Sequence, residues 1–134
     1  MEKRHTVGIR SVGSYVPAGI RDSKYISDAS GIPEQIIREK FGIKQVHKAG
    51  PEESVSEMAV KASLRALGGF DPKDLDMVVY CGSEYKDYYM FNCAAKIKED
   101  LGACRAVSFE VHNLCSAGVY ALKILKAMML ADPS

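Results

Sequence analysis

The chain has 134 residues, 47% hydrophobic and 26% charged, which is enough apolar material for a packed core and too much for a disordered tail. Eighteen lysines and arginines against 17 aspartates and glutamates leave a formal charge of +1, which excludes a globally basic nucleic-acid binder and a protein held to membranes by net charge. Any cationic patch has to be local.

The opening Met1-Glu2-Lys3-Arg4-His5-Thr6-Val7-Gly8 has basic residues but not the apolar stretch that follows them in a secretory leader. No run approaches the roughly 18 apolar residues of a membrane span, so the expectation is a cytoplasmic protein with no membrane partner. Val7 and Ile9 alternate with smaller or polar residues, and the pattern predicts a first strand over 7–15 that runs into a turn at Pro17-Ala18-Gly19. Gly31-Ile32-Pro33 then introduces a short helix over 34–41, closed by Gly42. Ser54-Val55-Ser56-Glu57 has the capping-box form, and Val55, Met58, Ala59, Ala62 and Ala66 recur at helical spacing until Gly68-Gly69.

After a turn at Asp71-Pro72, Met77-Val78-Val79-Tyr80-Cys81 is a continuous apolar run ending at Gly82, the mark of a strand covered on both faces. A helix over 91–101 closing at Gly102, a strand over 105–111 and an apolar helix over 116–130 complete the order. Strands alternating with helices predict an α/β sheet with parallel neighbours and right-handed crossovers. With no internal repeat and no linker, one domain is expected.

The four cysteines stand eleven or twelve residues apart, with no C-x-x-C pair and no histidine at a zinc interval, so they read as reduced thiols and no metal is expected. Cys81, Cys93 and Cys104 read as small apolar packing residues. A redox role for Cys115 is disfavoured because no resolving cysteine lies near it in the chain.

Ligands of open parallel sheets bind beyond the carboxyl ends of the strands. Two loops qualify here, Gly82-Ser83-Glu84-Tyr85 and His112-Asn113-Leu114-Cys115. Cys115 falls at a strand-to-helix junction just before Ser116-Ala117-Gly118, where unpaired amides and the positive end of a helix favour a thiolate and a developing oxyanion, and small residues leave room for a substrate. On this pattern alone a structural cysteine is the commoner reading.

Phe109-Glu110-Val111-His112-Asn113-Leu114-Cys115-Ser116-Ala117-Gly118-Val119-Tyr120-Ala121-Leu122 resembles the nucleophile segment of β-ketoacyl-acyl-carrier-protein synthase III. The likeness extends through residues 8–17, Phe41-Gly42-Ile43, the helix after Ser54 and the strand over 76–83. The resemblance implies a thiolase-like α/β fold, here a partial amino-terminal half with a mostly parallel mixed sheet and flanking helices, its carboxyl-terminal half absent. It implies an acyltransferase of fatty-acid biosynthesis in which acyl-CoA acylates Cys115 and malonyl-acyl-carrier protein then condenses with decarboxylation. Coenzyme A thioester would be a substrate, with no permanently bound cofactor, acyl-carrier protein a possible partner, and the intact enzyme a homodimer.

The family's catalytic histidine and asparagine would come from the second half; His5, His47 and His112 do not match them. Residues 1–134 alone are therefore not expected to sustain turnover, and they should expose a large apolar face. Lys40 stands where the family has an arginine near the CoA adenine and Ile36 where it has a tryptophan, so these two are the CoA-binding candidates. Met90 aligns roughly with an aromatic residue that reaches across the family's dimer. Glu84 departs from the pattern: its place is similar to that of the general acid/base glutamate of hydroxymethylglutaryl-CoA synthase, the alternative reading, with a solvated loop carboxylate beside it. A scaffold half-domain without catalysis is the remaining alternative.

Overall fold

The computed structural model describes residues 6–82 and 86–132. The chain forms two compact units, Val16–Ser54 and a larger one made of Met1–Tyr15 with Val55–Ser134.

In the smaller unit β1 (Gly19–Asp22) pairs antiparallel with β2 (Gln45–Lys48), Gly19 opposite Lys48 and Asp22 opposite Gln45. Asp22 ends the strand and starts α1 (Ser23–Ser30), its carboxylate accepting the Tyr25 amide at 2.7 Å; Gly31, at φ +73°, ends the helix in the left-handed turn that glycine adopts without strain. Pro33 opens α2 (Glu34–Glu39). Fully buried Ile37 anchors α2, and buried Ser23 donates to Glu34 Oε1 at 2.7 Å while accepting from Arg38 Nη1 at 3.3 Å. Of these elements only α2 is foreseen by the sequence pattern. The segments Gly-Ile-Arg-Asp and Gln-Val-His-Lys carry one large apolar residue each, too little to show an alternation.

The larger unit is built on β3 (Met77–Gly82) and β4 (Val107–His112), parallel and in register from Met77 opposite Val107 to Gly82 opposite His112. They are joined through α4 (Cys93–Leu101), which Asn92 caps by accepting the Ala95 amide at 2.8 Å and Gly102 closes at φ +71°. The start of α3 (Val55–Leu67) is tied from a distance: Asp87 accepts the amides of Val55 at 2.6 Å and Ser56 at 3.2 Å. The core gathers Val78, Cys93, Ile97, Leu101, Ala103 and Ala106, with Val55, Ala59, Val60 and Leu67 of α3 packed on it.

Two expectations change. Residues 6–15 form no strand; their polar groups turn to α3 instead. Ser11 Oγ donates to the Ala66 carbonyl at 2.6 Å, Arg65 Nη1 donates to the Ser14 carbonyl at 2.6 Å, and Lys61 and Arg65 lie over the Tyr15 ring at 4.6 and 5.5 Å. Gly13 makes this approach possible, because a Cβ there would stand 2.3 Å from the Ala62 carbonyl oxygen. Second, β3 is covered only in part among the described residues: Val78 is buried, Met77 and Val79 are half-buried, and Cys81 near its end is exposed.

The last element, α5 (Ala117–Ala131), buries only Ala117 and Ala121, and leaves Val119, Tyr120, Leu122 and Met129 exposed. Leu114–Ala131 is long and apolar enough to cross a membrane by length and composition alone. The sequence pattern shows no unbroken run because Lys123 and Lys126 interrupt it.

Candidate active site at the carboxyl end of the parallel strands

β3 and β4 end in step, so the chain leaves both strands along one edge. After β4 it passes through Asn113 and a single 3-10 turn, Leu114–Ser116, into α5. Leu114 lies at φ +45°, a left-handed conformation that costs a branched residue about 1–3 kcal/mol, and its side chain is exposed. The turn is held by its own polar groups. Asn113 Nδ2 donates to Ser116 Oγ at 2.7 Å, and the Asn113 carbonyl accepts from Ser116 Oγ at 3.0 Å and from the Ser116 amide at 3.1 Å.

Cys115, in the middle of this turn, is exposed. Ser116 does not cap α5 with its side chain, and the first turn of α5 holds no acidic residue. Negative charge placed at this helix start therefore meets the helix dipole without a competing carboxylate in that turn.

On the strand leading to Cys115 sits a partly buried carboxylate. Glu110 Oε2 accepts from Lys86 Nζ at 2.5 Å and from His112 Nε2 at 3.0 Å, while Oε1 accepts the Cys93 amide at 2.6 Å. Lys86 also donates to the Phe91 carbonyl at 3.0 Å. Burial by itself raises the Glu110 carboxyl, but the hydrogen bonds from Lys86, His112 and the Cys93 amide, with the Lys86 charge, bring it below the ordinary value of 4.5. Tyr80 completes the cluster, its ring 6.3 Å from that of His112 and its hydroxyl against Gly82, where a Cβ would come within 2.7 Å of it. Burial, then the nearby Cys93, Glu110 and Asp87, push the Tyr80 phenol up from 10.0.

Cys93, the first residue of α4, is fully buried, and burial followed by the charges of Asp87 and Glu110 pushes its thiol up to about 11. It fits the packing role expected of it. Cys81 and Cys104 do not: both are exposed, Cys81 next to the carboxyl end of β3 and Cys104 in the loop entering β4.

Ile36 and Lys40 belong to the smaller unit. They lie one helical turn apart, the Lys40 amide donating to the Ile36 carbonyl at 2.9 Å, and both are exposed, so α2 presents them on one face. Glu84 and His5 lie outside the described residues. His47 Nδ1 is 2.8 Å from the Pro17 carbonyl, and Met90, at φ +54°, is 92% exposed at the end of the loop that follows β3. Among the described residues no group of three or more histidine, cysteine, aspartate or glutamate side chains is placed to hold a metal.

The sequence pattern passes over Lys86, Asp87 and Glu110. Its one available signal is Glu110 itself: a carboxylate between Phe109 and Val111 in an apolar strand demands a buried partner.

No family model matches the sequence. Among curated proteins, β-ketoacyl-[acyl-carrier-protein] synthase III of Sulfurovum sp. is 32% identical over 123 residues, 90% of this chain and 36% of the relative. The chain thus spans about a third of the length of the curated relatives it matches. Among solved structures, the priming β-ketosynthase of the R1128 polyketide biosynthetic pathway superposes with a TM-score of 0.82 at 30% identity, over 89% of this chain and 36% of that one. Synthase III of Thermus thermophilus superposes with a TM-score of 0.84 at 23% identity, over 96% and 40% of the two chains. A hydroxymethylglutaryl-CoA synthase solved with CoA shares the fold at 22% identity, with a TM-score of 0.82 over 94% of this chain and 32% of the other. The chain therefore has a thiolase-like fold and matches the amino-terminal part of synthase III enzymes in sequence.

Proposed function

We propose that this chain, a counterpart of the amino-terminal part of β-ketoacyl-[acyl-carrier-protein] synthase III, carries the acyl-accepting nucleophile of a thiolase-like condensing enzyme, and that Cys115 is that nucleophile. The observation that supports this reading best is the exposed thiol in a strained strand-to-helix turn at the carboxyl edge of the parallel strands. The Cys115 sulfur, as thiolate, attacks the carbonyl carbon of an acyl-CoA thioester. A new carbon–sulfur bond forms, the bond to the CoA sulfur breaks, and the CoA thiolate leaves and takes up a proton. The Ser116 and Ala117 amides are already bonded to the Asn113 and Leu114 carbonyls, so charge that gathers on the carbonyl oxygen is met by the positive end of the α5 dipole. Gly118, with nothing within 4 Å of where its Cβ would stand, leaves open space beside the turn.

Condensation of the acyl group with malonyl-acyl-carrier protein then belongs to a longer polypeptide or assembly, because the relatives extend over nearly three times the matched length. Ile36 and Lys40 are proposed to meet the CoA moiety, Lys40 as a point charge for phosphate. The cytoplasm and a homodimer are the proposed setting.

Incubation with acetyl-CoA followed by peptide mapping tests the central claim. Acetyl on Cys115, lost in Cys115→Ala, is expected; acetyl on Cys104 or Cys81, or its persistence in the variant, refutes the assignment. The hydroxymethylglutaryl-CoA synthase likeness favours a second reading in which Glu84 moves protons during condensation with a CoA ester. In the longer enzyme, Glu84→Ala would then suppress condensation far more than acylation; equal loss of both rejects it.

A further inference from the structure

One carboxylate joins three segments of the larger unit that are separate in sequence. Glu110 takes Lys86 from the loop after β3, the Cys93 amide from the start of α4, and His112 from the end of β4. Its side chain is 11% exposed and that of Lys86 20%, so the pair is largely withdrawn from water and holds its geometry better than a surface pair does. The groups facing Glu110 are Lys86, His112, Tyr80 and Cys93, with Asp87 next to Lys86 and fixed by the α3 amides. From His112 only Asn113 and Leu114 intervene before Cys115, and Leu114 is in a conformation that the surroundings have to enforce.

We propose that Glu110 is a positioning residue for Cys115: by clamping His112 to Lys86 and to the start of α4, it fixes the end of β4, the base from which the strained, self-bonded turn holds out the sulfur. This inference rests on the reading of Cys115 as the reactive thiol and adds a residue that acts through His112 without touching substrate. Released from the clamp, Leu114 relaxes toward negative φ, and the sulfur no longer faces out beyond the start of α5.

The cysteines of the same chain supply the references for a test. Native protein is treated with iodoacetamide and the modified peptides are timed by mass spectrometry. Cys115 reports the turn, exposed Cys104 at the opposite end of β4 is the accessible reference, and buried Cys93 reports unfolding. Glu110→Gln and His112→Ala are each expected to lower the Cys115-to-Cys104 rate ratio at least about threefold with Cys93 still protected. His112→Gln, which keeps an N–H donor toward Glu110, is expected to hold the ratio within about 1.5-fold of wild type. General loosening would raise all three rates together, so a selective fall at Cys115 is not produced by lost stability alone.

Should Glu110→Gln expose Cys93, the Lys86→Met/Glu110→Gln double variant, which removes both charges of the buried pair, decides the matter. A lowered ratio in that variant supports the clamp, and a wild-type ratio overturns it. A wild-type ratio in folded Glu110→Gln or His112→Ala overturns it equally. Acetylation from acetyl-CoA is scored separately: a thiol that responds to Glu110 but never accepts acetyl refutes the proposed function and leaves the clamp standing.

Discussion

The larger unit contains two cysteines at the starts of two helices, and their surroundings differ in nearly every respect. Cys93 opens α4 beneath the core, with its amide on Glu110, two carboxylates nearby and its thiol pushed up to about 11. Cys115 stands just ahead of α5 in open solvent, beside a first turn with no acidic residue. Position at a helix start is common to both, so by itself it does not distinguish them. Burial and the sign of the neighbouring charges separate them, and the sheet imposes both: α4 crosses the covered side between β3 and β4, whereas α5 begins at the strands' open edge.

The widest gap this contrast predicts is in alkylation. At pH 8 a thiol at about 11 is roughly 0.1% ionised, and Cys93 is sealed as well, so iodoacetamide should modify Cys115 at least about a hundredfold faster under native conditions. Comparable rates would erase the distinction. Next comes Lys86→Ala, which strands the Glu110 charge in a largely buried site; unfolding in urea should show a loss of about 2–3 kcal/mol.

The same carboxylate makes the contrast dependent on acidity. Since folding lowers the Glu110 carboxyl below 4.5, its stabilising contribution is complete above that value and is lost as pH falls through the lowered one. Thermal melts of wild type should therefore fall more steeply below pH 4.5 than those of Glu110→Gln, and parallel curves would contradict the assignment. Asp87→Ala removes both the acceptor for the α3 amides and one charge beside Cys93. It should cost about 1 kcal/mol by the same urea measurement and bring the Cys93 thiol partway down in a thiol titration. Smallest is Leu114→Gly, which accepts φ +45° without strain and should raise stability by about 0.5–1 kcal/mol.

The larger unit was readable where the chain repeats a pattern long enough to count. The apolar spacing from Val55 to Ala66, the run Met77 to Cys81 and the glycines at 68 and 102 locate α3, β3 and the end of α4. The small unit was mostly opaque, because four-residue strands with one large apolar residue each are set by their partners and caps. Residues 7–15 show the opposite failure. Their alternation is strand-like, but Gly13 and the side chains of Ser11 and Tyr15 commit them to α3. At the candidate site, strand-to-helix punctuation and family likeness singled out Cys115, whereas Lys86 and Asp87 gain their meaning only from segments distant in sequence that folding brings to them.

Asp87 has a consequence for how the chain assembles. It completes the start of a helix that begins 32 residues earlier, so while the polypeptide emerges from a ribosome α3 exists for a time with its first amides unanswered by that carboxylate. Synthesis of the intervening residues takes on the order of seconds, against about a microsecond for winding a helix. The finished start of α3 is therefore a late event, arriving together with the loop that carries Lys86 to its own partner.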